Sequence, residues 1–486
     1  MVNEYLRNDP LDLILTDKLN EAFFLLSGNK KCSNQLILKL LNAVKDKPVP
    51  LKNLRAFPPK IINIPTSYKC TLGCKMCSSG FQNTTSIREE KFLTHDEFNS
   101  LMPWIKESSI ISFVGLGETL ESPYIFDFLE KTRKKTTYLV TSGVPLKENT
   151  FFRLIECNLD YLQFSFDGNS SIGHGGGKKN YIRGFWEKIK TLQKIKHEHS
   201  GKTPKISIRV AVDKENIASL DELLNFSYEY KVNEVFLVPF VPIEQMFFDT
   251  SLFDNFNVNK NRLNQIIKIW RKKGLDVRTS IKNIFLHNAN SPCMSIDNIV
   301  NFGYELDSPT VCCSSLSLPI KTQGYLPKEF WNSFPLRYLR YLHFSCEQTE
   351  LPEFCKTCWT ENAKNVSENY EQLTTINHED ALTLYNKASE LKRIKKYLES
   401  QKGFNQLLKK PLHSSTRSSI YFHLGEIKII KENYNEALSY MKQAVKFNYT
   451  HKRAFTYLYL LLSFHDVPTP IQRKKKVYLK WISSRK

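Results

Sequence analysis

At 486 residues the chain is longer than one ordinary domain, and about two to four domains are expected. Apolar residues make up 41% and charged residues 24%, which excludes a disordered chain, and no stretch reaches the roughly 18 uninterrupted apolar residues of a membrane helix. The net charge of +20 would suit nucleic acid, but the basic residues are dispersed in short runs such as Arg133-Lys134-Lys135, Arg393 to Lys396 and Arg473 to Lys476, so a solvated basic surface is expected instead.

The amino terminus, Met1 to Asp9, carries charges where a signal peptide needs an apolar run, and a cytoplasmic location is expected. Residues 1–55 are expected to form an N-terminal helical segment. Leu11, Leu15, Leu19, Phe23 and Leu26 fall on one helical face, and Ile37, Leu41 and Val44 repeat the spacing. Pro48, Pro50, Pro58 and Pro59 end it.

From 56 to 285 short apolar runs alternate with amphipathic ones. The expected strands are Ile61–Ile64, Ile110–Val114, Thr137–Thr141, Tyr161–Phe166, Ile206–Val212 and Glu234–Pro239. The expected helices are Thr94–Lys106, Tyr124–Lys134, Leu146–Glu156, Ile182–Glu198 and Ser219–Tyr230, the first opening on a capping box, Thr94-His95-Asp96-Glu97. Such alternation implies parallel β-α units, here an α/β fold with a partial (β/α)6 barrel, and ligands bind such sheets where the strands end.

Between 286 and 362 helical periodicity fades, and Cys293, Cys312, Cys313, Cys346, Cys355 and Cys358 dominate. Residues 363–486 are expected to be an all-α domain. Leu424-Gly425, Tyr434, Ala437, Met441 and Ala444 have the spacing of a tetratricopeptide repeat, although Lys428 and Tyr449 replace its usual Tyr and Pro. The apolar stretch Ala454 to Phe464 reads as a core helix, with Tyr457 and Tyr459 inside it.

Eleven cysteines in a reducing compartment point to metal rather than disulfides. Cys70-Thr-Leu-Gly-Cys74-Lys-Met-Cys77 follows the first expected strand, so three thiolates share one loop at a strand's end. They suit three corners of a [4Fe–4S] cube and leave the fourth iron open. The rival is a zinc knuckle, but zinc prefers four ligands and no nearby His completes the set.

This loop and the segments after it resemble the radical S-adenosylmethionine (SAM) superfamily. Val114-Gly115-Leu116-Gly117-Glu118 resembles that family's Gly-Gly-Glu, and Thr141-Ser142-Gly143 its Thr-Asn-Gly with Ser in place of Asn. Ser165-Phe166-Asp167-Gly168 resembles its Ser-x-Asp-Gly, and Tyr181-Ile-Arg183-Gly184 the opening of the next helix. Met76 replaces the usual aromatic before the third Cys. The resemblance implies that SAM binds the open iron and that Gly115, Gly117, Glu118, Ser142, Ser165 and Arg209 surround it. It also implies an electron from a reductant such as flavodoxin or ferredoxin, and a 5'-deoxyadenosyl radical that takes hydrogen from a substrate.

Residues 286–362 resemble a SPASM or twitch domain, through Cys293-Met-Ser-Ile, Thr310-Val311-Cys312-Cys313 and Pro352 to Cys355-Lys-Thr-Cys358. That resemblance implies one auxiliary [4Fe–4S] cluster on Cys293, Cys312, Cys355 and Cys358, with Cys313 the alternative to Cys312 and zinc the rival metal. No Cys lies between Trp359 and Tyr370, so a second auxiliary cluster is not expected. Cys346 is either a hydrogen donor to a substrate radical or an inert buried thiol.

Ser171-Ile-Gly-His174-Gly175-Gly176-Gly177-Lys178-Lys179 lacks the phosphate-loop form and reads as a mobile loop near the substrate pocket. Asp167 is a general base or a turn former. The functional expectation is radical chemistry on a peptide, an amino acid or a sugar-like metabolite, with a protein partner for the helical tail. An RNA-modifying enzyme and a non-catalytic scaffold are the rivals, and no cobalamin-binding domain precedes the core.

Overall fold

The computed structural model describes residues 9–28, 35–77, 91–115, 117–199, 203–240, 250, 252, 256–279, 293, 295–303, 306–311, 318–322, 325–345, 350–352, 355 and 378–464. They form two compact units, one built on residues 59–286 with 299–306, the other from the remaining segments on either side.

The first unit is a wholly parallel sheet of eight strands: β1 (Ile61–Ile64), β2 (Ile110–Phe113), β3 (Thr136–Thr141), β4 (Tyr161–Ser165), β5 (Lys205–Val212), β6 (Glu234–Pro239), β7 (Val277–Thr279) and β8 (Ile299–Asn301). Their order is β7-β6-β5-β4-β3-β2-β1-β8, the partial β/α barrel that the alternation implies. The six expected strands appear within one residue of their expected ends, and β7 and β8 extend the sheet at its two edges.

Strand alternation sorts the side chains onto two faces. Ile64, Phe113, Leu139, Leu162 and Ile206 occupy one row across five strands and are fully buried. Helices cover that face: Phe98 lies over Phe113 and stacks on Phe128, and Phe185 meets Phe164 edge-on, all buried. The opposite face is more polar and only half-buried at Asn63, Ser112, Gln163 and Ser165. There Ser165 pairs in register with Arg209.

The single helix expected at 94–106 is two helices, His95–Ser100 and Met102–Glu107. Pro103, near the start of the second, cannot continue the first helix but suits the opening turn of a new one. The capping box at Thr94 and Glu97 is formed in both directions.

The second unit is helical. The continuous N-terminal face expected from Leu11 to Leu26 is broken into Pro10–Leu15 and Leu19–Gly28, because Asp17 adopts φ 69 between them. Five helices run from His378 to Leu462, and Ser414–Ile430 and Tyr434–Phe447 form a tight hairpin. A Cβ on Gly425 would lie 2.6 Å from the end of Met441, so glycine lets these helices approach closely. Ala454 to Leu462 is buried almost throughout, as expected of a core helix. Among the described residues no helix is long and apolar enough to cross a membrane.

Candidate functional site

The loops that leave β1, β2, β3 and β4 hold Cys70, Cys74, Cys77, Gly115, Gly117, Glu118, Ser142 and Asp167, while Ser165 ends β4 and Arg209 lies within β5. After β1 the chain reaches the cysteine loop. Gly73, at φ 58, takes the left-handed turn between Cys70 and Cys74 at no steric cost. Cys70, Cys74 and Cys77 are all half-buried. Burial pushes the Cys74 thiol up to about 12, and Cys77, Asp167 and Cys70 add to the effect. A thiolate is therefore disfavoured at Cys74 unless a positive centre binds beside it. Among the described residues no group of three or more His, Cys, Asp and Glu closes on a single-ion position.

The loop after β2 presses against the cysteine loop. Glu118 N donates to Lys69 O at 2.8 Å, one residue before Cys70. A Cβ on Gly117 would lie 2.3 Å from the Ser67 carbonyl oxygen, and one on Gly115 2.5 Å from the Pro65 Cβ. Only glycine allows that approach. Leu116 lies outside the described residues.

Glu118 is buried and joins this loop to the next. One carboxylate oxygen accepts from Thr141 Oγ1 at 2.6 Å and Leu120 N at 3.2 Å; the other accepts from Ser142 N at 2.8 Å and Ser142 Oγ at 2.6 Å. Those four donors match the roughly four lone-pair positions of a carboxylate. Glu118 therefore clamps the loops after β2 and β3, and Ser142 is held as part of the clamp. Lys188 reaches the Gly143 and Val144 carbonyls from the helix Lys179–Glu198.

Beside Asp167, which the sequence offers as a general base or a turn former, the structure brings in His174, Tyr181 and Lys188, to which the sequence assigns no individual role. Asp167, after β4, is buried, accepts from Ala211 N at 2.9 Å and His174 N at 3.1 Å, and pairs with His174 Nδ1. It thus forms turns and also orients an imidazole, for which His174 was not a candidate. Tyr181 packs its ring on Gly175, and among the described residues its buried hydroxyl has no hydrogen-bond partner. Burial raises the pKa of that hydroxyl, and so do Cys74, Asp167, Glu118 and Cys70 in turn. Lys188 completes the set.

The glycine-rich segment is tied to the cysteine loop, since Met76 N donates to Ile172 O at 3.0 Å. Met76 also packs with Ile172, Phe240 and Ala211 in a small apolar cluster. Sequence could have flagged Tyr181 and His174 only by their nearness to the Ser-x-Asp-Gly segment, because what makes them notable is tertiary.

Of the other cysteines, Cys293 is half-buried and Cys355 buried, both in the helical unit. Cys312, Cys313, Cys346 and Cys358 lie outside the described residues.

No family model matches the chain. A curated relative, the tungsten-containing aldehyde ferredoxin oxidoreductase cofactor-modifying protein of Pyrococcus furiosus, is 26% identical over 190 residues, 38% of this chain and 52% of the relative, so the chain spans about half that relative's length. Among solved structures, SuiB of Streptococcus suis bound to the precursor peptide SuiA is 15% identical with a TM-score of 0.44, covering 62% of this chain and 69% of that one. The protein anSMEcpe with bound AdoMet is 18% identical with a TM-score of 0.45, covering 62% of this chain and 86% of that one.

Proposed function

We propose that the chain is a radical SAM enzyme whose Cys70, Cys74 and Cys77 hold a [4Fe–4S] cluster. The observation that carries this reading is the convergence of three thiols, the Glu118 clamp and the orphaned Tyr181 hydroxyl on one end of the sheet. The residues present fit such a group: soft thiolate donors suit iron–sulfur, and an unpartnered buried hydroxyl implies a missing neighbour. When bound, the cluster and SAM supply an electron and a 5'-deoxyadenosyl radical that removes hydrogen from an unactivated carbon.

The protein's part is placement. Gly115 and Gly117 bring the β2 loop against the cysteine loop, and Glu118 fixes that loop to Thr141 and Ser142. Half-buried Ser165 and exposed Arg209 lie side by side in register across β4 and β5, where a guanidinium suits a carboxylate such as that of SAM. Met76, Ile172 and Phe240 offer an apolar wall for a base or ribose.

Cys293, Cys355, Cys358 and either Cys312 or Cys313 are proposed to hold one auxiliary cluster that takes or relays an electron, fed by a small redox protein such as flavodoxin or ferredoxin. The helix hairpins between His378 and Leu462 support a peptide or protein as substrate or partner, since stacked helix pairs form concave surfaces. The relative's name also allows a small cofactor as substrate.

Anaerobic reconstitution with iron counting tests the reading, followed by a search for 5'-deoxyadenosine after dithionite reduction with SAM. Wild-type protein is expected to bind about four irons at this loop. The Cys74→Ala variant is expected to retain no cluster there and to make no 5'-deoxyadenosine. Zinc in place of iron, or SAM cleavage by that variant, would sink the reading.

A further inference from the structure

The strand β4 ends in Ser165, and the chain then passes Asp167 and turns through Gly168 into the segment Ser171 to Gly177. Gly173 brings that segment back so tightly that a Cβ on it would lie 2.7 Å from the Asp167 Cβ. Gly175, Gly176 and Gly177 all take positive φ, which lets the chain coil directly after His174. The effect of this geometry is to deliver one side chain. His174 is held through both its backbone N–H and its ring Nδ1 by a single carboxylate oxygen of Asp167.

Asp167 is itself fixed. Its other oxygen accepts from Ala211 N, and Asn216 Nδ2 donates to its backbone carbonyl at 3.0 Å. It is only 2% exposed, whereas the His174 side chain is 20% exposed. With Nδ1–H committed to the carboxylate, the lone pair of a neutral imidazole lies on Nε2. Among the described residues nothing hydrogen-bonds that nitrogen. A buried carboxylate, an imidazole and a free ring nitrogen are the parts from which proteins build proton acceptors.

Its location is also defined. Ile172, two residues earlier, receives the Met76 N–H, so the segment is stitched to the cysteine loop beside Cys77. The charged groups around the imidazole are Asp167 from the end of β4 and Glu118 from the loop after β2. Tyr181, from the next helix, and Cys74 face Asp167 in turn. Burial alone would discourage an imidazolium here, but Asp167 outweighs it, with Glu118 adding to the effect, and the His174 pKa is raised.

We propose that His174, oriented by Asp167, accepts a proton from a substrate heteroatom, an O–H, N–H or S–H group bound over the cysteine loop. In that transfer the bond from hydrogen to the heteroatom breaks and its electron pair stays on the heteroatom. A bond forms from Nε2 to the proton, and Asp167 balances the imidazolium charge. His174 meets the substrate; Asp167 is a positioning residue. The assignment rests on the reading of this site as a radical SAM centre, and it narrows the substrate class to molecules that carry such a donor beside the carbon that loses hydrogen.

The test uses the full chain and diethyl pyrocarbonate, which modifies neutral imidazole, with sites mapped by peptide mass spectrometry. His174 is expected to react at Nε2, with a pH midpoint above the ordinary imidazole value of 6.5, while the exposed His413 serves as the control for reagent access. Asp167→Asn is expected to lower the midpoint, a shift that a purely structural role would not produce. In reconstituted protein, SAM is expected to slow His174 modification about fivefold or more while leaving His413 unchanged, as expected when a bound molecule shields a site.

The wild-type arms need no variant, so a misfolded Asp167→Asn leaves the test intact. An unreactive His174, a midpoint at or below the ordinary imidazole value of 6.5, or equal rates with and without bound SAM would overturn the proposal. Protein that fails to bind iron or SAM yet keeps the raised midpoint overturns instead the radical SAM reading and the substrate class derived from it.

Discussion

Glu118 illustrates how one side chain organises the candidate site. Its two carboxylate oxygens take four donors from three residues, so its geometry is over-determined. Replacing it with Gln keeps the volume but turns one acceptor into a donor. Either choice of amide orientation leaves Thr141 or Ser142 facing an N–H. Leaving a buried donor unsatisfied costs about 1–3 kcal/mol. Glu118→Gln is therefore expected to lower stability by that amount in urea denaturation, and Ser142→Ala to cost less in the Glu118→Gln background than in wild type. Equal costs in both backgrounds would mean the clamp contributes nothing. The motif spacing made Glu118 legible in the sequence as a site residue, but not as a clamp. His174 and Tyr181 were illegible for a related reason. Their roles depend on where three successive glycines send the chain, which no local periodicity encodes.

At the scale of elements, Glu426 ties three helices together. It sits on Ser414–Ile430 and is paired with Lys392 from His378–Arg393, with His423 on its own helix at 3.4 Å, and with Arg453 from Lys452–Leu462 at 3.2 Å. Burial would raise its pKa, but the His423 hydrogen bond, Lys392 and Arg453 outweigh it and bring it down to about 2. A folded-state pKa below the unfolded value of 4.5 means the contribution is complete above pH 4.5 and disappears as the pH falls toward 2. A depression of that size corresponds to about 3 kcal/mol. Glu426→Gln is expected to lose up to that amount at pH 7, with the gap to wild type closing as the pH falls through that window. A gap independent of pH would show that shape, not charge, matters there. Elements themselves were legible where one physical signal dominated. Alternating apolar residues placed six strands almost to the residue, because the parallel sheet buries every second side chain on its helix-covered face. The misses came where a local feature overruled periodicity: Pro103 cut one expected helix, and Asp17 in the left-handed region cut another. The strands β7 and β8, of three residues each, are too short to show any period.

For the molecule as a whole, the helical unit is assembled from segments at both ends of the chain, and Asp17 is where they meet. Its carboxylate accepts two bonds from Arg337, each at 2.7 Å, and further bonds from Arg55 at 2.8 Å and the Tyr459 hydroxyl at 3.1 Å. Arg337 is fully buried and also donates to the Pro50 carbonyl at 3.2 Å. One carboxylate thus joins the N-terminal helices, the helix Phe334–Ser345 and the final described helix, across 442 positions of sequence. Removing a buried charge's partner costs about 3–5 kcal/mol, because the other charge is left without compensation. Asp17→Ala is expected to lower the unfolding free energy by that much in urea denaturation followed by far-ultraviolet circular dichroism. If the loss comes from the orphaned guanidinium, adding Arg337→Met to Asp17→Ala should restore most of the stability, since apolar replacements of buried pairs are often neutral. A double variant no more stable than Asp17→Ala alone would move the cause to Arg55 and Tyr459. A single Asp17→Ala within about 1 kcal/mol of wild type would mean the two ends of the chain are held by their apolar contacts, as surface ion pairs of that size imply.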